Sequence, residues 1–285
     1  MVRKAVLPVA GFGTRFLPAT KAVPKEMLPI VDRPVIHYAV EEAVASGIEN
    51  VIFVTARGKS SIEDYFDHHH VLEQLLEKKK ASSTLKELGD IVSMVEVISI
   101  RQKKQLGLGH AVLVTEPIVG QEPFAVILPD DIILAERPVL SQMMDVFNEF
   151  SASIIAVQKV PREKISAYGV IKGEKVAERT YRIESLVEKP SPEEAPSDLA
   201  IIGRYILTAG IFTELKNTPP GRGGEIQLTD AIHRLAEKEP VYAFEFEGRR
   251  FDAGNKLGFL KANIAFALQR EDLREELKAF LKNEV

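Results

Sequence analysis

The residues of this chain best suited to hold phosphate are two glycines one residue apart, trailed by two cations in a proline-stiffened stretch. An apolar run, Val2 to Val9, leads into Ala10-Gly11-Phe12-Gly13-Thr14-Arg15, and Lys21-Ala22-Val23-Pro24-Lys25-Glu26-Met27-Leu28-Pro29 follows shortly after. An aliphatic run that ends at a glycine-rich turn reads as a buried strand whose backbone then bends. Gly11 and Gly13 remove side-chain bulk, so main-chain N–H groups can point at phosphate oxygens. Arg15 and Lys25 bring charge to the same place. Neither common phosphate loop accounts for this turn: the dinucleotide fingerprint needs glycine at Phe16, and the P-loop needs a Gly-Lys-Ser/Thr that is missing. A mere connection has no use for three prolines (Pro18, Pro24 and Pro29) around two cations.

Carboxylates supply the opposite charge. Pro123-Phe124-Ala125-Val126-Ile127-Leu128-Pro129-Asp130-Asp131 is an apolar strand ending in tandem acids, which places them at the carboxyl edge of a parallel sheet, where open α/β sheets bind ligands. Oxygen donors of this kind suit Mg²⁺, which shares its shell with waters and phosphates; the competing reading is that one aspartate caps the next helix. Arg250-Phe251-Asp252-Ala253-Gly254 offers a second metal aspartate, Asp252. Glu188-Lys189-Pro190 reads either as a strand-end ion pair or as a charge-assisted hydrogen bond from Lys189 to an anionic ligand, with Glu188 accepting from ligand hydroxyls.

The string Gly11-x-Gly13-Thr14-Arg15-x-Leu17-Pro18-x-Thr20-Lys21-x-x-Pro24-Lys25-Glu26-Met27-Leu28-Pro29 closely resembles the signature of the sugar-nucleotidyltransferases, in the form found in bacterial UTP–glucose-1-phosphate uridylyltransferases. That resemblance implies a Rossmann-like α/β fold, a mixed, mostly parallel sheet flanked by helices. It implies that Ala10, Gly11, Gly13 and Thr14 bind the nucleotide, that Arg15 holds the leaving pyrophosphate and that Lys25 bridges phosphates. Gln102 offers the amide that a uracil edge requires and Gly107 lets backbone approach the base; the residues alone allow a plain strand-to-helix turn there, with His110 structural. The resemblance also assigns Asp130 to nucleotide and Mg²⁺, and Gly169, Glu188, Lys189 and Gly203 to the sugar side, with Glu225, Gln227 and Thr229 as further candidates. The implied reaction joins UTP to glucose 1-phosphate in a homo-oligomer. A thymidylyltransferase on the same sugar phosphate and a non-catalytic regulatory paralogue are the alternatives.

The elements that must position these groups follow from pattern. With 285 residues the chain can bury a sizeable core, and it reads as one domain: a nucleotide-binding half over about 1–150, a sugar-phosphate half over about 151–265, and a helical tail from about 256 to 285. A net charge of −4 disfavours nucleic acid as partner, and no apolar run is long enough to span a bilayer. Without a signal-peptide pattern the expected location is the cytoplasm. Zero cysteines exclude disulfides and thiolate chemistry. Strand, helix and strand over Val2 to Thr55 make a βαβ unit. Residues 60–80 read as one helix, on which His68, His69 and His70 point in different directions and cannot all face one metal. Strands after Ser153 add antiparallel pairs, and the amphipathic tail either covers the sheet or meets another subunit.

Overall fold

The computed structural model describes residues 1–284; Val285, the last residue of the expected tail, lies outside them. The opening apolar run forms β1 (Lys4–Pro8), with Ala5, Val6 and Leu7 wholly buried, as a central strand covered on both faces must be. Three short 3-10 turns carry the glycine loop to a small hairpin of β2 (Pro29–Ile30) and β3 (Arg33–Pro34), and Pro34 stands at the N-cap of α1 (Val35–Ala45). β4 (Asn50–Thr55) runs parallel to β1, completing the βαβ unit, and β5 (Glu96–Arg101) runs parallel to β4.

Between β4 and β5 the single helix expected over 60–80 is divided. α2 (Ser60–Asp64) and α3 (His70–Lys78) are separate, and α4 (Ser82–Val92) follows. The break falls on the histidines, because His69 caps α3: its Nδ1 accepts from the Leu72 N–H at 3.2 Å. His68 and His70 do not point apart; their rings stack, and they reach the two oxygens of Glu73 at 3.0 and 3.5 Å. Among the described residues no group of three or more His, Asp, Glu or Cys side chains is placed to hold a metal ion.

The first half closes with α5 (Leu108–Leu113), α6 (Glu116–Val119), β6 (Phe124–Ile127), β7 (Asp131–Leu134) and α7 (Val139–Phe150). The second contributes β8 (Ser153–Lys159), β9 (Gly169–Ala177), β10 (Thr180–Glu188), β11 (Leu199–Leu207), α8 (Gly210–Asn217), α9 (Leu228–Ala236), β12 (Val241–Glu245) and β13 (Arg249–Asp252). Both halves join one nine-stranded mixed sheet in the order β5-β4-β1-β6-β11-β8-β12-β10-β9. Strands β5, β4, β1 and β6 of the first half are parallel; β11 enters antiparallel between β6 and β8, and β10 pairs antiparallel with β9 and β12. Side chains alternate across the sheet, so Val6 joins one core with Phe124 and Phe212 while Leu7 joins the other with Phe53 and Met143.

The tail is two helices, α10 (Lys256–Ala267) and α11 (Glu271–Glu284). α10 packs inward, its Ala262 and Ala265 against Ile30, Val35, Ile132 and Phe251. Its other face leaves Leu257, Leu260 and Ile264 exposed, and α11 buries none of its residues.

A buried ion pair ties these layers together beneath the carboxyl edge of the sheet. Arg204 on β11, 1% exposed, donates to both oxygens of Glu42 on α1 at 2.8 to 3.1 Å and to the carbonyls of Leu128 and Asp131. Removing one partner strands the other charge in the core, so Glu42→Ala is expected to lower the unfolding free energy by about 3–5 kcal/mol. Urea unfolding followed by circular dichroism checks this; a loss under about 1 kcal/mol would show that the guanidinium finds other compensation.

Candidate active site

The glycine turn folds back on itself. Gly13 takes the left-handed conformation, φ 66°, its carbonyl accepts from Thr20 Oγ1 at 2.8 Å, and a Cβ on it would come within 3.0 Å of Lys25 Cβ. Lys25 is thereby brought across the loop, its Cε 3.9 Å from where a Cβ on Gly11 would stand. Glu26 turns the other way into the core, where its Oε2 accepts from the buried Lys59 at 2.7 Å and anchors the loop.

Against this loop stands the turn between β5 and α5. Together they enclose a hollow of about 420 Å³ whose walls include Ala10, Gly11, Gly13, Thr14, Gln102 and Gly107. Gly107 has φ 98°, and a Cβ there would strike Glu225 Cβ at 2.7 Å. The segment before α9 therefore closes the hollow from the far half, with the Ile226 N–H donating to Leu106 O at 2.8 Å and Gly109 N–H to Ile226 O at 2.9 Å. Gln105, absent from the sequence expectations, spans the mouth: its Nε2 donates to Ala10 O at 2.5 Å.

A second hollow of about 330 Å³ adjoins the first and is lined by Arg15, Gly169, Glu188, Lys189, Gly203 and Asp252 among others. Asp130 lines both. At that junction Lys25 Nζ stands 2.6 Å from Asp130 Oδ2. Burial alone would raise the Asp130 carboxyl and lower the Lys25 ammonium; their mutual attraction overrides burial, so Asp130 titrates below and Lys25 above the ordinary value.

In the second hollow Lys189, held at φ 47°, places Nζ 3.0 Å from Glu188 Oε1, while Glu188 Oε2 accepts from Thr229 Oγ1 at 2.8 Å. A Cβ on Gly169 would crowd Glu188 Oε2 at 3.2 Å. Gly203 lines the hollow too, but its lack of a side chain has a nearer cause than room for a sugar: a Cβ would meet Leu128 Cβ and Asp131 Oδ2 at 2.6 Å.

The tandem acids separate. Asp131 is buried, accepting from the Gly203 N–H at 2.9 Å and from Arg250 Nε at 2.6 Å, and so has no oxygen directed at a ligand. Asp252 borders the same space as Asp130: a Cβ on Gly254 would lie 2.9 Å from Asp130 Oδ2 and 3.0 Å from Asp252 Oδ1, which accepts from the Gly254 N–H at 2.9 Å, so glycine keeps the gap beside both carboxylates clear. Two carboxylates with room for waters and phosphates fit Mg²⁺, which rarely uses an all-protein cage. Arg250 and Tyr168 escaped the sequence reading, yet Arg250 Nη1 donates to Tyr168 Oη at 3.0 Å and both line the second hollow. Arg250 lies two residues before Asp252 on one strand, and that period could have found it.

A glycine turn, opposed charges and two carboxylates over a parallel sheet edge define an α/β protein that handles phosphates. Residues 4–269 match the model of the nucleotidyl transferase family, and the chain belongs to that family. It is 51% identical to the UTP–glucose-1-phosphate uridylyltransferase YngB of Bacillus subtilis, covering 99% of this chain and 95% of that one. A UTP-bound UGPase from Acinetobacter baumannii superposes with a TM-score of 0.93 at 45% identity, covering 99% of each chain. A UDP-glucose pyrophosphorylase complexed with UDP-glucose gives 0.88 at 46% identity, covering 95% of this chain and 100% of that one.

Gly254→Ala is expected to weaken the carboxylate pair's hold on a divalent cation about 10–100-fold, the usual cost of disturbing the surroundings of a metal ligand. Calorimetric titration with Mg²⁺ in the presence of UTP measures it, and an unchanged affinity would move the cation away from Asp130 and Asp252.

Proposed function

We propose that this chain transfers the uridylyl group of UTP to α-D-glucose 1-phosphate, forming UDP-glucose and releasing pyrophosphate. The observation that carries the reading is the junction of the two hollows, where Asp130 lines both and pairs with Lys25, which lines the first. The nucleotide-side hollow is built chiefly by residues 8–130 and the sugar-side hollow chiefly by 167–252, in keeping with one domain of two halves.

An oxygen of the sugar phosphate attacks the α-phosphorus of UTP in line, and the bond from that phosphorus to the bridging oxygen of the β-phosphate breaks. The attacking oxygen is already anionic at neutral pH, so no general base is required. What the protein must supply is alignment of two polyanions and relief of their repulsion. Main-chain amides at Gly11 and Gly13 hold the triphosphate. Lys25 exchanges Asp130 for phosphate oxygens and bridges the α-phosphate and the incoming sugar phosphate. Arg15, exposed on the loop, neutralises the departing pyrophosphate. Lys189 holds the sugar phosphate from the opposite side, and Glu188 accepts from the sugar hydroxyls. Mg²⁺ held by Asp130 and Asp252 would add Lewis-acid stabilisation of phosphoryl charge.

The exposed apolar face of α10 supports the expected homo-oligomer, which light scattering would test: a strictly monomeric chain overturns it. No helix among the described residues is long and apolar enough to cross a membrane, and we place the reaction in the cytosol.

Mixing the protein with UTP, glucose 1-phosphate and Mg²⁺ is expected to release pyrophosphate, with kcat/KM higher for UTP than for dTTP; the reverse preference would make it a thymidylyltransferase. Lys25→Ala and Lys189→Ala should each lose on the order of 10²–10³ in turnover, the scale for one charge-stabilising contact. A near-normal rate in either variant removes that residue from its role.

A further inference from the structure

The amide of Gln102 is held from two sides. Its Nε2 lies 3.2 Å from the Gly107 carbonyl oxygen and 2.9 Å from His110 Nδ1. A carbonyl oxygen can only accept, so the amide atom facing Gly107 must be the nitrogen, and the orientation follows from chemistry. With one N–H directed at Gly107 and the other at His110, the His110 Nδ1 must be the acceptor and the ring proton must sit on Nε2. Burial lowers the His110 pKa below the usual range, which favours the neutral ring that this requires. Gln102 itself is 6% exposed, is fixed through its backbone N–H to Thr55 O at 2.9 Å, and lines the nucleotide-side hollow. Its Oε1 is the one polar side-chain atom left for a ligand.

We infer that His110 is a positioning residue for pyrimidine choice: it locks the Gln102 amide with the carbonyl oxygen toward the base, so that a pyrimidine protonated at N3 is accepted and cytosine is refused. The inference deepens the uridylyltransferase reading and rests on it. In a nucleotide the only N–H of uracil or thymine is on N3, and a carbonyl oxygen can hydrogen-bond those bases there alone. Cytosine presents a lone pair at the same position, which opposes Oε1 and leaves both acceptors unpaired. A freely rotating glutamine would evade this by turning its NH₂ to cytosine. The turn is opposed twice, because it would set Oε1 against the Gly107 carbonyl and would oblige His110 to move its ring proton from Nε2 to Nδ1. Without His110 only Gly107 resists.

The test is kcat/KM for UTP and for CTP, each with glucose 1-phosphate and Mg²⁺, in the wild-type enzyme and two variants. His110→Phe removes the acceptor and is expected to lower the UTP-to-CTP ratio about tenfold, the worth of one hydrogen bond. His110→Asn places an amide oxygen near the position of Nδ1 and is expected to keep the ratio within about threefold of wild type on the same scale. Equal loss of both activities in His110→Phe, with the ratio unchanged, would make His110 merely a packing residue and overturn the inference. Should His110→Phe fail to fold, the ¹⁵N spectrum of histidine-labelled wild-type protein decides: an Nε2–H tautomer at His110 is expected, and an Nδ1–H tautomer refutes the lock. A wild-type chain that forms no UDP-glucose would overturn the parent reading as well, an outcome distinct from an unchanged ratio in an active enzyme.

Discussion

Lys25 and Asp130 are 105 residues apart in sequence, yet their side chains meet at 2.6 Å. Nearly every other feature of the site serves that meeting. The cation arrives on a loop that Gly13 folds and that the buried Glu26–Lys59 pair anchors; the anion arrives on the turn that follows the fully apolar β6. Each charge stabilises the other against burial, so a strongly charged junction persists in the floor of two hollows without forcing either group neutral. Polyanionic substrates can then meet an electrostatic environment prepared in advance, and it is such preorganisation that lets fixed charges act on a reaction.

Much of this arrangement was legible because it is local. A strand that ends in Gly-x-Gly, or in tandem aspartates, announces its position in a parallel sheet through residues adjacent in sequence, and β1 and β6 are neighbours with their carboxyl ends on one edge. What escaped was non-local or unpunctuated. Arg250 finds Asp131 across 119 positions, and Arg204 finds Glu42 across 162. Charged residues in such pairs look like surface residues until the fold buries them. The division of residues 60–80 into two helices carries no glycine or proline, and rests on a histidine acting as a cap, a role usually taken by Ser, Thr, Asp or Asn. The tandem acids illustrate both sides: Asp130 stands in the turn after β6 while Asp131 opens β7, whose pairing with β13 brings it to Arg250, and no residue of the pair announces that change of element.

The two halves of the chain are not independent lobes. β11 crosses from the second half to pair with β6 of the first, and the loop before α9 seals the hollow lined by the glycine turn. Gly203 and Arg204, consecutive on β11, contact Asp131 and Glu42, so one short strand segment links the sheet, α1 and the acidic turn.

That wedge has a bearing on how the molecule must be made. A ribosome that has released only the first 150 residues has exposed β6 with an open flank, its backbone donors and acceptors waiting for a strand still unsynthesised. The nascent half is therefore prone to pair with the wrong partner, and its completion depends on contacts between distant positions, which form slowly. The arrangement that couples both substrates to one floor also leaves the emerging polypeptide in need of protection until Leu207 has cleared the exit.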